Sequence, residues 1–276
     1  MAEPIQRKLR GAAHLFREVG PRRFLLAVCA RLLLRVRIFF RGGGRTVSID
    51  GCRFPLRDLP NNMMKLALLD GSYEAPERSA VRKYIQPNWG VVELGACIGV
   101  ISCVTNKLLS NPSAHVVVEI NPLVLPHLKA NREANACSFK ILHAAVAYGE
   151  EQVSFRPHLE FWGNFLRQGG SRPPVTVPVT QLRRIIDEEG FAEFAVICDV
   201  EGQELELLDH ELDTLRKASL IIMELHPHMV GQQNAEKILT TLVEQGFRLE
   251  REAANLAVFR KAPAAVTIDS RETAVA

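Results

Sequence analysis

The residues in this chain that could do chemistry are carboxylates set at the ends of apolar runs. Val91-Val-Glu93-Leu-Gly95-Ala96-Cys97-Ile-Gly99 joins an acid to a pair of glycines, and Val116-Val-Val-Glu119 ends the next apolar run in a second acid. Further along, Cys198-Asp199-Val-Glu201-Gly-Gln-Glu204 and Ile222-Met-Glu224-Leu-His226-Pro repeat the arrangement and add a histidine. A strand ending in a carboxylate, a glycine turn, a helix and a second strand ending in a carboxylate together describe a nucleoside-binding βαβ unit.

The glycine spacing narrows the ligand. A dinucleotide fold uses G-x-G-x-x-G, in which the glycines bring a helix N-terminus against a pyrophosphate. Only Gly95 and Gly99 are present here, and Glu93 before the turn would repel a pyrophosphate while attracting a cation. S-adenosylmethionine, with an ammonium, a sulfonium, a ribose and no phosphate, suits such a turn. Glu119 is placed to accept hydrogen bonds from ribose hydroxyls. The expected cofactor contacts are Glu93, Gly95, Ala96, Gly99, Glu119, Ile120, Asp199 and the small Ala144 and Ala145, which leave room for adenine. The competing reading is a turn with two solvated glutamates.

These residues need elements to position them. From residue 90 onward apolar strands alternate with helical segments. Strands are expected near 90–94, 115–119, 139–142, 194–199, 219–225, 247–251 and 255–260, and helices near 98–109, 122–135, 180–189, 203–209 and 232–245. The pattern is that of a doubly wound, seven-stranded α/β sheet of Rossmann-like type, with its ligand at the carboxyl ends of the strands. The last two strands are close enough in sequence for an antiparallel hairpin at the sheet edge. Upstream, Thr46 to Leu56 alternates around Asp50-Gly51 as a β-hairpin does. Asn61 to Ile85 reads as helical with a break at Asp70-Gly-Ser72. The expected organisation is a basic helical region over 1–44, hairpin and lid helices over 45–89, a catalytic domain over 90–262 and a disordered tail over 263–276.

Charge is unevenly spread. Residues 1–45 carry 11 Lys/Arg against two acids, or +9, and the remainder carries 23 against 29, or −6. Residues 22–41 read as an amphipathic helix with one apolar face and arginines opposite, too interrupted for a membrane span. It can lie peripherally on an anionic membrane or pack on the protein itself. The six cysteines lack the paired spacing of a zinc site or disulfide framework and read as reduced core thiols of a cytoplasmic protein. A net-acidic catalytic portion disfavours nucleic acid as partner.

Several segments together resemble the FkbM family of S-adenosylmethionine-dependent methyltransferases: Val92 to Gly99, Trp162-Gly-Asn164, Cys198 to Glu204 with Leu208, Ile222 to Pro227, and Gly71-Ser-Tyr-Glu-Ala-Pro-Glu77 before the first core strand. The resemblance spans roughly residues 70–260. It departs from the family pattern at Glu93, more often Asp, and Cys97, more often Asn. It implies a class I methyltransferase fold and O-methylation of a hydroxyl on a small molecule, sugar or glycan.

Such a transfer needs nucleophile and methyl group in line, with removal of a hydroxyl proton. His226 is the expected general base, with Asp199 or Glu224 orienting its other nitrogen; it could also simply cap a strand end. Asp199, Glu201, Glu224 and His226 could instead hold a divalent metal, though the metal-free version is the expectation. Glu204 can be explained by the helix dipole alone. Tyr73, Glu74, Trp162, Asn164 and Glu201 are the expected acceptor-binding residues. A second reading, a membrane-associated binding protein on an inactive methyltransferase fold, draws on the arginine-rich helix and Cys97.

Overall fold

The computed structural model describes residues 36, 46–57, 59, 61–157, 173–251 and 253–261. The strands are β1 (Thr46–Ile49), β2 (Cys52–Pro55), β3 (Gly90–Leu94), β4 (His115–Glu119), β5 (Lys140–His143), β6 (Ala145–Val146), β7 (Gln152–Phe155), β8 (Val175–Thr180), β9 (Phe194–Cys198), β10 (Leu220–Glu224), β11 (Phe247–Arg251) and β12 (Leu256–Lys261). The helices are α1 (Asn62–Asp70), α2 (Ala75–Tyr84), α3 (Val100–Leu108), α4 (Leu125–Ala134), α5 (Leu182–Glu189), α6 (Glu204–Leu215), α7 (Pro227–Val230) and α8 (Gln232–Glu244).

Two compact units divide the chain. One contains β1 and Phe54–Tyr73; the other contains Asp50–Arg53 and the chain from Glu74 onward. In the first, α1 starts where the Asn61 side chain accepts from the Met63 N–H at 2.7 Å and stops at Gly71, whose φ of 76° turns the chain out of the helix. Its Met64, Leu66 and Leu68 are buried. β1 and β2 flank Asp50-Gly51, both with positive φ, as the hairpin signal in the sequence requires.

In the second unit, β3, β4 and β9 are buried at every position, and β10 at all but its final glutamate. Parallel strands covered on both faces must be continuously apolar, which is why these segments read as valine and isoleucine runs rather than alternating ones. They form a seven-stranded sheet of order β11-β12-β10-β9-β3-β4-β5. Five central strands are parallel, with Val92 facing Val116 on one side and Val196 on the other. β12 runs antiparallel to both β10 and β11, so the edge hairpin expected from the sequence is present. This is the doubly wound, Rossmann-like sheet expected from the sequence. The chain leaves β3 towards β5 and returns through β9 towards β11, making the gap between β3 and β9 the switch point where ligands bind in such sheets.

Two features differ from the sequence reading. Between β5 and α5 lies a three-stranded sheet, β6-β8-β7, where the sequence reading placed no strand. It packs Ala145, Phe155 and Val177 together, with Ile120 partly buried against them. In addition, α6 continues to Leu215 through Glu211, whose φ of −122° interrupts the helix. Of the basic segment over 22–41 only Val36 is described, helical and exposed; the rest of it and the residues after 261 lie outside the described residues. Among the described residues no helix is long and apolar enough to cross a membrane, and Cys52, Cys97, Cys103, Cys137 and Cys198 form no disulfide with one another.

Candidate active site

The turn after β3 is built against the end of β9. Asp199 N–H donates to Leu94 O at 2.9 Å, and Gly95 and Ala96 N–H both donate to Val118 O, at 2.9 and 3.1 Å. A Cβ on Gly95 would lie 1.8 Å from Asp199 O, so only glycine lets the two strand ends approach this closely. Gly99 has φ 80°, and a Cβ there would lie 2.4 Å from Leu128 Cδ1, so it brings α3 and α4 into contact.

Glu119 closes this turn. Its Oε2 accepts from Cys97 N–H at 2.7 Å and its Oε1 from Asn121 N–H at 2.6 Å. Burial raises its pKa to about 7, with the nearby Glu93 charge adding to the effect and the backbone donors opposing it. Cys97 adopts φ 48°, a left-handed conformation in which asparagine is several-fold enriched and cysteine is not. Glu93 lies inward: Oε1 accepts from Ser102 Oγ at 2.8 Å and Oε2 is 3.3 Å from His115 Nε2.

At the ends of β9 and β10 the expected catalytic residues converge. His226 Nδ1 is 2.6 Å from Glu204 Oε1, which also accepts from Gly202 N–H at 3.0 Å. Glu204 is completely buried and its Oε2 has no hydrogen-bond partner. Glu204, rather than Asp199 or Glu224, therefore holds the second imidazole nitrogen. The free nitrogen, Nε2, lies between three carboxylates: Glu201 Oε2 at 3.5 Å, Asp199 Oδ1 at 3.7 Å and Glu224 Oε1 at 3.9 Å. Asp199 Oδ1 is buried without a hydrogen-bond partner. Glu201 sits at φ 49° before Gly202 at φ 99°, a left-handed pair that turns its side chain back to the histidine.

The electrostatics are those of crowded acids. Burial raises the pKa of Asp199 well above the ordinary range, and Glu224 and Glu201 push it further. Glu201 and Glu224 are raised for the same reason, burial first. For His226 burial disfavours the charge, but the Glu204 hydrogen bond and the Asp199 and Glu201 charges outweigh it and lift the pKa to about 9. Glu77 on α2 belongs to this group as well, since its charge acts on both Asp199 and Glu224 and burial raises its own pKa. It stands in the Gly71 to Glu77 segment that the sequence singles out, but only the fold brings it to the strand ends.

The other expected residues are dispersed. Ala144 is part of the main core and Ala145 of the small one. Ile120 O accepts from His143 Nε2 at 3.2 Å. Glu74 caps α2 with φ 47°, its carbonyl accepting from Arg78 N–H at 2.9 Å. Tyr73 belongs to the other unit. Trp162 and Asn164 lie outside the described residues.

No curated protein matches the chain. Among solved structures it is similar to the precorrin-6y C5,15-methyltransferase of Geobacter metallireducens GS-15, with TM-score 0.42 and 14% identity over 68% of this chain and 88% of that one. It is also similar to the magnesium protoporphyrin IX methyltransferase of Synechocystis PCC 6803 with bound SAM, with TM-score 0.43 and 13% identity over 74% and 86%. The ribosomal protein L11 methylase of Lactobacillus delbrueckii subsp. bulgaricus gives TM-score 0.38 and 12% identity over 68% and 78%. Residues 93–249 match the methyltransferase FkbM domain. That match takes in Glu93, Glu119, the Asp199–Glu204 loop and His226 and exceeds half of the chain, which therefore belongs to the FkbM methyltransferase family.

Proposed function

We propose that the protein is an S-adenosylmethionine-dependent O-methyltransferase acting on a hydroxyl of a small molecule, sugar or glycan. The observation that carries this reading is the convergence of Asp199, Glu224 and His226 beside the Gly95 turn, where β9 meets β3. The residues suit the cofactor. Carboxylates dominate the strand ends, and burial and neighbouring acids raise the pKa of Asp199, Glu201 and Glu224 alike, so a cationic ligand without phosphate is favoured. When bound, S-adenosylmethionine supplies a methyl group on a sulfonium, which becomes a neutral thioether on transfer.

Each residue then has a task. The Gly95–Gly99 turn and Ala96 present backbone to the cofactor, and Glu119 accepts hydrogen bonds from its ribose while keeping Cys97 N–H in place. At the acceptor, the hydroxyl proton passes to the Asp199–Glu224–His226 cluster, whose imidazole accepts it in the neutral form that grows as pH rises towards 9, with Glu204 fixing the ring. Glu201 accepts a hydrogen bond from the acceptor, and Glu74, Trp162 and Asn164 are assigned to its binding. Isothermal titration with S-adenosylmethionine is expected to show one site per chain. Incubation with the labelled cofactor and fractionated metabolites, glycans and lipids should then move a methyl group onto a hydroxyl. Absence of cofactor binding to folded protein would remove the reading, and label found only on nitrogen or carbon would remove the O-methyl assignment.

A further inference from the structure

We infer that Asp199, Glu224 and His226 form a binding site for one divalent transition-metal ion, manganese or zinc in preference to magnesium or calcium. Three observations point there independently of the fold. The ligand atoms of these residues all lie within 4.8 Å of one another. His226 is 7% exposed, and its Nε2 faces Asp199 Oδ1 at 3.7 Å and Glu224 Oε1 at 3.9 Å, too far for a hydrogen bond to either. Asp199 Oδ1, one of the atoms it faces, is buried and without a hydrogen-bond partner. That side chain is 35% exposed as a whole, with Oδ1 turned away from solvent, and a buried oxygen is seldom left unsatisfied.

The spacing is that of an ion cage slightly open. Ligands about 2.1 Å from a metal stand roughly 3 Å apart in octahedral and roughly 3.4 Å apart in tetrahedral geometry. The 3.7 and 3.9 Å separations from Nε2 exceed these by a few tenths of an ångström to about 1 Å, and the ligand oxygens of the two carboxylates lie within 4.8 Å of each other, a contraction that side-chain rotation can supply. Three protein donors leave coordination positions free, as in catalytic rather than structural metal sites. The donor set selects the metal: an imidazole nitrogen with two carboxylates suits manganese or zinc, whereas magnesium and calcium take oxygen ligands.

The surroundings support the same assignment. Metal-bound histidines usually engage their second nitrogen with a carboxylate or carbonyl, and Glu204 Oε1 fills that role on Nδ1 at 2.6 Å. Glu77 and Glu201 add negative charge around the three donors without belonging to them. The role of the ion, to bind the acceptor hydroxyl through an open position and make its proton easier to lose to Glu201, the neighbouring carboxylate outside the three donors, rests on the methyl-transfer reading above. Binding of the ion itself does not.

Titration of the full chain with manganese, followed by loss of the free-ion electron paramagnetic resonance signal, is expected to show one ion per chain displaceable by zinc. Asp199→Asn and Glu224→Gln should each weaken binding at least tenfold, while the surface control Glu206→Gln leaves it unchanged. Glu204→Gln, which alters the partner of His226 Nδ1 without removing any of the three donors, should weaken it about tenfold. Circular dichroism establishes that each variant is folded, and Glu224, which has no shielded unpartnered oxygen, allows a folded variant even if the Asp199 change does not. Folded wild type that takes up neither manganese nor zinc, or uptake that Glu224→Gln leaves intact, would overturn the assignment. Cofactor titration of the same samples separates the two readings, because ion binding without cofactor binding fails only the methyltransferase proposal.

Discussion

Glu204 Oε1 sits 2.6 Å from His226 Nδ1 and fixes the orientation of the imidazole whose other nitrogen faces Asp199, Glu201 and Glu224. The relationship spans two strand–helix junctions, because Glu204 opens α6 after β9 and His226 follows β10. It converts a residue that helix electrostatics alone could explain into a positioning residue of the site.

His226→Ala is accordingly expected to lower turnover by about 100-fold or more, the usual scale for losing a proton-transfer group. Glu204→Gln should lower kcat by a smaller factor with KM for the acceptor little changed. Both variants should bind S-adenosylmethionine within about twofold of wild type, since neither side chain contacts the Gly95 turn. Turnover that survives in His226→Ala would take the histidine out of proton transfer, and unchanged kcat in Glu204→Gln would make that contact purely structural.

Glu119 predicts a pH dependence of cofactor binding. Burial raises its pKa from 4.5 to about 7. The carboxylate that accepts ribose hydroxyls therefore forms only as pH rises through that value. Affinity for S-adenosylmethionine should fall about tenfold per unit below pH 7 and level off above pH 8. The stability sign is opposite. An acid whose pKa is raised by folding favours the folded state below 4.5, and that contribution is lost as pH rises to about 7. Titration calorimetry between pH 5.5 and 8.5 gives the check, and a flat profile in wild type would detach Glu119 from the ribose. Glu119→Ala should bind weakly at every pH.

How much of this was legible in the sequence depended on whether a residue's role is local. Val91 to Gly99 and Val116 to Glu119 announce strand, turn and strand because burial on both faces demands continuous apolar runs and the turn demands glycine. The meeting of Asp199, Glu224 and His226 followed from their shared position at strand ends. Glu204 and Glu77 did not follow, because which carboxylate reaches an imidazole depends on helix placement. The β6-β8-β7 sheet was hidden by Pro178, which argues against a strand. Val179 N–H donates to Glu151 O on the β7 side, so Pro178 N points to the opposite side, where pairing with β6 starts only at Val179. No hydrogen bond is lost there.

Gly95 and Gly149 provide a matched pair for separating backbone conformation from packing. Their φ angles are 91° and 89°. A Cβ on Gly149 would meet nothing within 4 Å, whereas one on Gly95 would lie 1.8 Å from Asp199 O. Gly149→Ala should therefore cost only the left-handed penalty of about 1–2 kcal/mol. Gly95→Ala should cost substantially more and abolish cofactor binding. Denaturant unfolding of both variants measures the difference, and equal losses would mean that the β3 and β9 ends are not in contact.

Cys97 offers the opposite change, a substitution expected to help. Its φ of 48° places a cysteine where the family pattern more often has asparagine, and its N–H is committed to Glu119 Oε2 at 2.7 Å. The backbone bond does not depend on the side chain, so replacement can relieve the conformation without removing the contact. Asparagine tolerates the left-handed region through local hydrogen bonding. Cys97→Asn should stabilise the protein by about 1 kcal/mol, a rise in Tm of roughly 2–4 °C for a domain of this size. Because the contact of this N–H with Glu119 is kept, affinity for S-adenosylmethionine should not fall. A lower Tm would show that the cysteine side chain contributes packing that outweighs its strained backbone. An unchanged Tm with weaker cofactor binding would instead place the thiol itself against the ligand.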